Sequence, residues 1–390
     1  MGWKASCVMD ERMKFIVDCE SEELSMAEAC RRAGISRKTG YKWLYRYEEE
    51  GLEGLKERSR ASLWHPNAVE ACTEQAILEM KRRHMTFGPA KIRVRLMHDA
   101  PEALWPAVST MGDILNRHGL VVPRKKRRRA TPSAQPLRHC TRANDVWCAD
   151  FKGWFCTRDG AHCEPLTITD GASRYLLCCQ TMFSGTGFEQ VKPAFEIAFR
   201  RYGMPQAIRT DNGPPFATVA LGGLSRLSVW WLRLGIQPER IRPGKPQDNG
   251  RHERMHRTLK AATAQPPQNT LRAQQRAFES FMHEYNEHRP HEALGQQTPA
   301  THYQPSPKSF PGRLPKAPPY PDEWKSRTVS RSGQMKWGGH DIQITAALRG
   351  ERIGLKPIGD GVWEIYFLGL LLGTFHERGL RVKRLSKKDK

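Results

Sequence analysis

Apolar residues near the N-terminus recur at helical spacing in two short segments. Met13, Ile16 and Val17 predict a first helix by this spacing. Ser25, followed three residues later by Glu28, has the spacing of a capping box and predicts the start of a second helix. The chain is therefore expected to begin with short helices.

The second helix is expected to end at Gly34, and Ile35 and Ser36 are predicted to start a third helix. We expect Tyr41, Leu44 and Tyr45 to form its apolar side. Such a pattern is typical of a helix-turn-helix whose third helix reads the major groove of DNA. An ordinary three-helix bundle with a solvated basic face is the alternative. The cations that this helix would present to DNA are Arg37, Lys38, Lys42 and Arg46.

A second helical unit is predicted between residues 68 and 123. Ser109 is expected to cap its last helix, and Gly119 is expected to end that helix. The unit is interpreted as another helix-turn-helix. Its three helices are marked by the apolar pairs Ile77 with Met80, Ile92 with Leu96, and Ile114 with Leu115.

The pattern changes to short hydrophobic strands from about residue 140. Three strands in succession predict a meander, and the order of the elements that follow is βββαβαβαα. This order is that of a ribonuclease-H-like fold, an α/β layered structure around a mixed sheet. The predicted strands are 146–151, 166–169, 175–181, 206–209 and 236–241, and the predicted helices are 187–201, 222–234, 247–261 and 270–287.

Alternating apolar and polar residues return near the C-terminus, where Asp360-Gly361 predicts a hairpin turn. We interpret this region as a small β-barrel that ends in a basic tail at 381–390. The whole chain is thus predicted to be a multidomain protein. Its expected parts are a helix-turn-helix domain (1–62), a second such domain (68–123), a basic linker (124–139), a ribonuclease-H-like core (140–300), a proline-rich arm (301–326) and the β-barrel domain (327–390).

The charge of the chain indicates a polyanionic partner. Its 63 Lys and Arg residues against 41 Asp and Glu residues give a net charge of +22, which favours nucleic acid over a membrane surface. Part of this charge is a run of six consecutive cations, which is interpreted as a linker that touches DNA, with a merely solvated hinge as the alternative. The run consists of Arg124, Lys125, Lys126, Arg127, Arg128 and Arg129.

Neither a membrane span nor a secretion signal is predicted. The longest strongly apolar run, 366–375, is half the length that a spanning helix needs. We expect a cytoplasmic, nucleoid-associated protein with reduced thiols. Its ten cysteines are scattered without a CxxC pair and are interpreted as small buried side chains rather than zinc ligands.

Three acidic residues occupy positions that suggest chemistry. Asp150 lies in the first predicted core strand, Asp211 directly follows the fourth, and Glu253 lies on a later helix. In the inferred fold the first and fourth strands are neighbours, so the three carboxylates would share one pocket and repel one another unless cations bind. Two Mg²⁺ or Mn²⁺ ions held there could clamp the attacking and leaving oxygens of a phosphoryl transfer.

Arg257 and Lys260 are expected on the same face of the helix as Glu253, within reach of DNA phosphates. A surface Glu–Arg pair is the alternative interpretation of this face.

Four segments around these acids resemble the bacterial insertion-sequence transposases of the DDE class, which have a retroviral-integrase-like catalytic core. The resemblance covers nearly the whole chain and implies that Asp150, Asp211 and Glu253 are the metal-binding catalytic triad. The sequence departs from the family's founding pattern in two respects. The interval of 41 residues between Asp211 and Glu253 is longer than in that pattern, and no His-His-Cys-Cys zinc module precedes the core. The segments are WCADFKGWF, RTDNGPPF, PQDNGRHERMHRTLK and YNEHRPHEALGQQTPA.

Several neighbours of the acids receive structural interpretations. Asn212 with Gly213 could shape the loop that carries Asp211, and Asn249 with Gly250 could let a phosphate approach the start of the Glu253 helix, but plain turn geometry is the favoured interpretation of both pairs. Asp170 is also interpreted as a turn residue. His252 and His256 are expected to face solvent. Trp230 and Trp231 are expected to pack in the core.

The sequence therefore predicts a metal-dependent DDE transposase. It would bind the terminal inverted repeats of its element, cleave at the ends and join the 3′-hydroxyls to target DNA. Double-stranded DNA would be its partner, and a homo-oligomer assembled on DNA would be its active form. A catalytically silent regulator derived from a transposase is the alternative, and a structure-selective nuclease on the same fold is a third possibility.

Overall fold

The computed structural model describes residues 7–21, 23–59, 68–121, 140–183, 185–242 and 249–384. The basic run 124–129 and the linker predicted around it lie outside these residues. The chain divides into two compact units, Met1–Ala68 and Val69–Lys390.

The first unit contains three helices: α1 (Val8–Glu20), α2 (Met26–Arg32) and α3 (Arg37–Glu50). Its core includes Phe15, Ile16, Cys30 and Trp43. Gly40 lies at the crossing of these helices, because a Cβ there would come within 2.4 Å of the Cys30 Sγ. Ser36, at the predicted start of α3, is its N-cap residue, and its Oγ accepts from the backbone N–H of Thr39 at 3.2 Å.

Two details of the first unit were predicted wrongly. Ser25 precedes α2, but its hydroxyl bonds the Glu28 carboxylate at 3.1 Å and makes no side-chain cap to the backbone. Of the predicted apolar side, Leu44 packs against the core, but Tyr41 and Tyr45 are 59% and 63% exposed. Trp43, which is 6% exposed, makes the main apolar contact instead. Helix α3 carries aromatic residues on both sides, so which side packs is decided by the space that α1 and α2 leave.

The second unit begins with three helices: α4 (Ala71–Arg83), α5 (Pro89–Asp99) and α6 (Val108–Arg117). The predicted apolar pairs form their core together with Phe87 and Met111. The predicted cap at Ser109 is wrong, because Ala107 is the N-cap of α6 and Ser109 lies inside its first turn. The loop after α4 contacts the core, where the Arg289 guanidinium donates to Thr86 Oγ1 at 2.8 Å.

A five-stranded mixed sheet forms the centre of the second unit, in the order β5-β4-β1-β6-β7. β1 pairs antiparallel with β4 and parallel with β6, so the predicted meander and the predicted neighbourhood of the first and fourth core strands are confirmed. A short hairpin, β2 with β3, follows β1. The strands are β1 (Val146–Phe151), β2 (Phe155–Cys156), β3 (His162–Cys163), β4 (Pro165–Asp170), β5 (Leu176–Thr181), β6 (Ala207–Thr210) and β7 (Gln237–Arg240).

Helices cover the sheet in two layers. α7 (Phe188–Tyr202) and α8 (Arg226–Arg233) pack in one apolar cluster with Trp147 and Ile168. Trp230 and Trp231 are buried in that cluster, which confirms their predicted core position. In a separate cluster, α9 (Gly250–Thr263) and α10 (Leu271–His283) pack against Leu176 and Cys179.

The proline-rich arm lies against this core. The backbone N–H of Met204 donates to Lys308 O at 2.7 Å, and that of Ser306 donates to Tyr202 O at 2.8 Å. Gly203 between them leaves no room for a side chain, because a Cβ there would be 2.3 Å from Ser306 O. The first part of the arm is therefore a packed segment of the core surface.

A second five-stranded sheet, antiparallel and ordered β14-β13-β12-β11-β8, lies near the C-terminus beside the hairpin β9–β10. Gly361 forms the predicted turn between β11 and β12. Closure of these strands into a barrel stays a prediction. The strands are β8 (Lys325–Thr328), β9 (Gln334–Trp337), β10 (His340–Gln343), β11 (Arg352–Gly359), β12 (Val362–Phe367), β13 (Leu370–His376) and β14 (Arg381–Arg384).

The start of the predicted basic tail is instead a strand, because Arg381–Arg384 pairs with β13. The remaining tail residues, 385–390, lie outside the described residues. The apolar cluster of the C-terminal sheet also includes Leu221, Leu224 and Leu232 from the core.

Candidate active site

The three acidic residues are positioned by β1, β6 and α9. Asp150 lies in β1, Asp211 directly follows β6, and Glu253 lies in the first turn of α9. Burial, followed by the negative charges of Asp211 and Glu253, raises the pKa of Asp150 from 3.8 to about 6. The structure therefore brings the three carboxylates into electrostatic contact.

Asn249 has a role that the sequence did not indicate. It is the N-cap residue of α9, and its Nδ2 donates to Asp150 Oδ2 at 2.9 Å. This bond lowers the pKa of Asp150 and opposes the effect of burial. Turn geometry was the favoured interpretation of Asn249, but its side chain also orients the Asp150 carboxylate.

The loop after β6 has the turn chemistry that was predicted. Asp211 Oδ1 accepts from the backbone N–H of Gly213 at 3.2 Å, and Asn212 Nδ2 donates to Ile241 O at 3.0 Å. These bonds fix the loop that carries the Asp211 carboxylate. Asp170 is likewise a turn residue, with Ser173 Oγ bonded to its carboxylate at 2.6 Å.

His252 and His256 were predicted to face solvent, and that prediction is wrong. They are 2% and 6% exposed, and Thr167 Oγ1 of β4 lies 2.6 Å from His252 Nε2 and 2.7 Å from His256 Nε2. The Thr167 hydroxyl is also 3.0 Å from the backbone oxygen of Asp150. A spacing signal was present, because the buried residues of α9 recur at i, i+3, i+4, i+7 and i+11: His252, Met255, His256, Leu259 and Thr263.

Burial lowers the pKa of His252 to about 3 and that of His256 to about 2, so both rings are neutral near pH 7. Uncharged imidazoles can accept from and donate to the threonine hydroxyls without a buried charge. The histidines thus join α9 to β4 by hydrogen bonds, beside the strand that carries Asp150.

Two sets of side chains at this site could bind a metal ion. The carboxylates of Asp150, Asp211 and Glu253 are hard oxygen ligands, which suit Mg²⁺. The ligand atoms of Asp150, His252 and His256 lie within 4.8 Å of one another, whereas the three carboxylates form no group this tight in the described part of the chain. The histidine nitrogens already have hydroxyl partners, however, so the three carboxylates are the better match for a hard divalent cation.

Removal of the Thr167 hydroxyl should destabilise the fold. Thr167→Val leaves two buried ring nitrogens without their partner, so we expect the free energy of unfolding to fall by about 2–4 kcal/mol. Urea unfolding measures this change. Thr258→Val is the matched control on α9, because its hydroxyl bonds only within its own helix, and we expect a change of about 0.5 kcal/mol or less. Equal losses in the two variants would contradict the proposed support by Thr167.

The pKa of Asp150 predicts a dependence of stability on pH without divalent cations. An acid whose pKa is raised on folding stabilises the fold while it is protonated, and this stability is lost as the pH rises through about 6. We expect wild type to lose about 2–3 kcal/mol relative to Asp150→Asn between pH 4 and pH 8. Urea unfolding in EDTA measures the difference, and parallel pH curves would contradict it. At pH 8, Mg²⁺ should stabilise wild type more than the variant.

Glu253, Arg257 and Lys260 are all exposed on α9, on the flank of the buried face that contains the histidines. The shared face predicted for them is thus available to a ligand, and their binding of DNA remains a prediction.

On α3, three of the four predicted DNA-binding cations are exposed: Arg37, Lys38 and Lys42. Arg46 is half-buried, and its guanidinium carbon lies 5.1 Å from the centre of the Trp43 ring. Tyr41 and Tyr45 lie on the same exposed surface, so aromatic side chains accompany the cations there.

The cysteines are free thiols, and half of them are buried. Burial raises the pKa of Cys148, beside the candidate site, to about 12, so it is a neutral thiol. No helix in the described part of the chain is long and apolar enough to cross a membrane.

Comparison with protein families assigns the parts of the chain. Two models of the integrase core domain match residues 140–246 and 234–299. A helix-turn-helix domain matches 11–62, and a homeodomain-like domain matches 39–115. The C-terminal domain of the IS481 family transposases matches 324–375. The central sheet and its helices are thus an integrase core, accompanied by helix-turn-helix regions.

Similar proteins include products of bacterial insertion elements. An uncharacterized 39.2 kDa protein of insertion element IS476 from Xanthomonas euvesicatoria is 26% identical over 285 residues, which cover 72% of this chain and 73% of that protein. Transposase InsD of element IS2 from Escherichia coli is 26% identical over 226 residues, which cover 55% of this chain and 72% of that protein. The chain thus contains an integrase core domain and helix-turn-helix regions, and it is similar to insertion-element proteins that include a transposase.

Solved structures with some similarity include the catalytic core domain of BIV integrase, with a TM-score of 0.31, 22% identity, and coverage of 40% of this chain and 92% of that one. The HTLV-2 integrase core in complex with magnesium has a TM-score of 0.33 and 18% identity, and covers 42% of this chain and 98% of that one. These TM-scores are low, so the integrase core is supported by the sequence matches alone.

Proposed function

We propose that the protein is a metal-dependent transposase that cleaves the ends of its element and joins the 3′-hydroxyls to target DNA. The observation that carries this proposal is the electrostatic contact of three carboxylates at adjoining parts of an integrase core, where Asp211 and Glu253 raise the pKa of Asp150. Such crowding of anions is unfavourable without a cation, and it is typical of sites that bind divalent metal.

Asp150, Asp211 and Glu253 would hold two Mg²⁺ or Mn²⁺ ions. When bound, such ions supply the charge that activates the attacking oxygen and stabilises the leaving oxygen of a phosphoryl transfer. The surrounding residues position these ligands. Asn249 orients the Asp150 carboxylate, and the Thr167 hydroxyl with the two buried histidines holds α9 against the sheet. Arg257 and Lys260 would bind DNA phosphates beside Glu253.

Recognition of the terminal inverted repeats is assigned to the helix-turn-helix regions. The exposed surface of α3 would enter the major groove, with Arg37, Lys38, Lys42 and Arg46 as its cations. The run 124–129 would add contacts to the phosphate backbone. In this proposal the domains have the limits that were predicted from the sequence.

The active form would contain at least two chains assembled on DNA. Two transposon ends must be joined to nearby target phosphates, and one three-carboxylate site holds one reacting phosphate at a time. Repulsion from a net charge of +22 per chain opposes association without DNA.

The proposed activity can be tested with DNA that carries the sequences flanking the gene. We expect the purified chain to release a 3′-hydroxyl at the element end and to form joined products in Mg²⁺. EDTA should stop both reactions, and denaturing gels should show no covalent protein–DNA product. Cleavage that persists in EDTA, or a covalent adduct, would contradict the proposal.

A further inference from the structure

A narrow cleft lined by two arginines adjoins the carboxylates. Arg174 follows the turn after β4, and Arg251 lies in the first turn of α9. Cys148 and Met255 line the cleft as well, and so does Asn249, whose amide bonds Asp150. The cleft therefore lies next to the proposed reaction centre.

The guanidinium of Arg174 lacks a complete set of partners. Its Nε is buried and has no hydrogen-bond partner among the described residues. Burial lowers the pKa of Arg174, and the positive charges of Arg251 and Arg254 lower it further. Like charges held together in a partly buried place are unfavourable unless an anion joins them.

The carboxylate of Asp170 also lines the cleft, but it is already engaged. Its Oδ1 accepts from the backbone N–H of Asn144 at 2.7 Å, and its Oδ2 accepts from the backbone and the hydroxyl of Ser173 at 2.7 and 2.6 Å. Asp170 thus stabilises its own turn, and the arginines keep donors for another group.

The backbone at Arg174 is held in an unfavourable conformation. Its φ of +65° is in the left-handed region, which residues other than glycine rarely adopt. Such local strain is found where a side chain must be placed for function. Arg251 is fixed as well, since its Nη1 donates to Gly171 O at 3.0 Å.

The size of the cleft limits what can enter it. It encloses about 20 Å³, which suits one group of the size of a water or a single oxygen. A nucleobase is too large. A non-bridging oxygen of a phosphodiester fits, and arginine is well suited to bind phosphate because its planar fork of donors matches phosphate oxygens.

We propose that Arg174 and Arg251 bind a backbone phosphate of the DNA strand next to the phosphate that reacts. The site rests on the proposed function, because it assigns a contact within the same DNA complex. This contact would fix the position of the DNA strand relative to Asp150. Asn249 links the two sites, because it lines the cleft and also donates to the Asp150 carboxylate.

The test uses the full chain and end DNA in which single phosphates are replaced, one at a time, by uncharged methylphosphonates. For wild type we expect one or two adjacent positions near the cleaved bond to reduce cleavage by about tenfold to a hundredfold. Arg174→Gln and Arg251→Gln should each cause a similar loss on unmodified DNA. Both variants should be insensitive to the methylphosphonate at that position, because the contact is already missing.

Two kinds of variant control this experiment. Arg174→Lys and Arg251→Lys keep the charge and should recover part of the activity. If thermal unfolding shows that a glutamine variant is destabilised, the lysine variant at the same position provides the test instead. Arg200→Gln alters an exposed arginine of α7, in the other helical layer, and should keep the wild-type sensitivity. If the effects of the arginine variants and of the methylphosphonates multiply at every position, the cleft binds no phosphate.

Binding to the Asp150→Asn chain separates this site from the proposed function. That chain detects phosphate contacts without cleavage, and we expect the same methylphosphonate to weaken its affinity for the ends. A wild type that cleaves no ends, combined with this loss of affinity, would refute the proposed function and support the phosphate site. Normal cleavage with no sensitive phosphate would refute the site alone.

Discussion

Asp150→Asn, Asp211→Asn and Glu253→Gln should each reduce cleavage and joining of the transposon ends by about a thousandfold or more. Each substitution keeps the size of the side chain but removes one of the three charges that would bind metal. Charge stabilisation by a bound cation contributes several kcal/mol to such a transition state, and about 4 kcal/mol corresponds to a thousandfold in rate. Gel analysis of cleaved and joined products in Mg²⁺ measures the effect.

Specific binding of the ends should be unchanged in these variants, because the helix-turn-helix regions are intact. Glu189→Gln is the matched control, since it removes an exposed charge from α7, outside the layer that contains α9, and it should keep full activity. If one of the three variants joined ends at nearly the wild-type rate, that residue would be excluded from the catalytic set.

A chain that begins at residue 140 should bind transposon ends no better than unrelated DNA. Specific binding commonly exceeds nonspecific binding by about a thousandfold or more, and we assign this difference to the residues before 122. Affinity for the ends should also fall steeply with salt in the full chain, by about 0.9 in the log–log slope for each neutralised phosphate. Fluorescence anisotropy at several salt concentrations measures both quantities.

The truncation also removes contacts that the core makes with the helices before it, such as the bond from Arg289 to Thr86. A full-length chain in which Arg37, Lys38, Lys42 and Arg46 are replaced by glutamine therefore provides a second test. This variant should lose its selectivity for transposon ends over unrelated DNA. The thermal unfolding of its other domains should be unchanged. Selective binding of ends by the chain from residue 140 would refute the helix-turn-helix assignment.

The elements of the core could be predicted because each strand carries its own apolar pattern between clear turn signals. The approach of Asp150 to Asp211 followed from the parallel neighbourhood of β1 and β6, which the order of elements implies. Positions decided by distant partners could not be predicted in this way. Thr167 is more than 80 residues away from His252 and His256 in the sequence, yet its hydroxyl contacts both rings. Nothing in the sequence of α9 itself indicates this partner.

Dependence on distant residues also explains why the buried side of α3 was predicted wrongly. Tyr41 and Trp43 are both large aromatic residues, and only the packing of α1 and α2 decides that Trp43 is buried. Asn249 was undervalued because an asparagine before a helix is first of all a capping residue. Its bond to Asp150 depends on how α9 meets β1, which is a tertiary relation.

The attachment of the arm limits how two chains could exchange parts. Residues 306 and 308 are hydrogen-bonded to Tyr202 and Met204 of the same chain, and Pro315 O accepts from the Arg233 guanidinium at 2.6 Å. The length free to reach a neighbour therefore begins after residue 315, and residues 316–324 would extend about 30 Å at most. The C-terminal sheet shares an apolar cluster with Leu221 and Leu232 of its own core. Exchange of this sheet between subunits would therefore require that cluster to open first, which makes domain swapping slow compared with docking of intact chains.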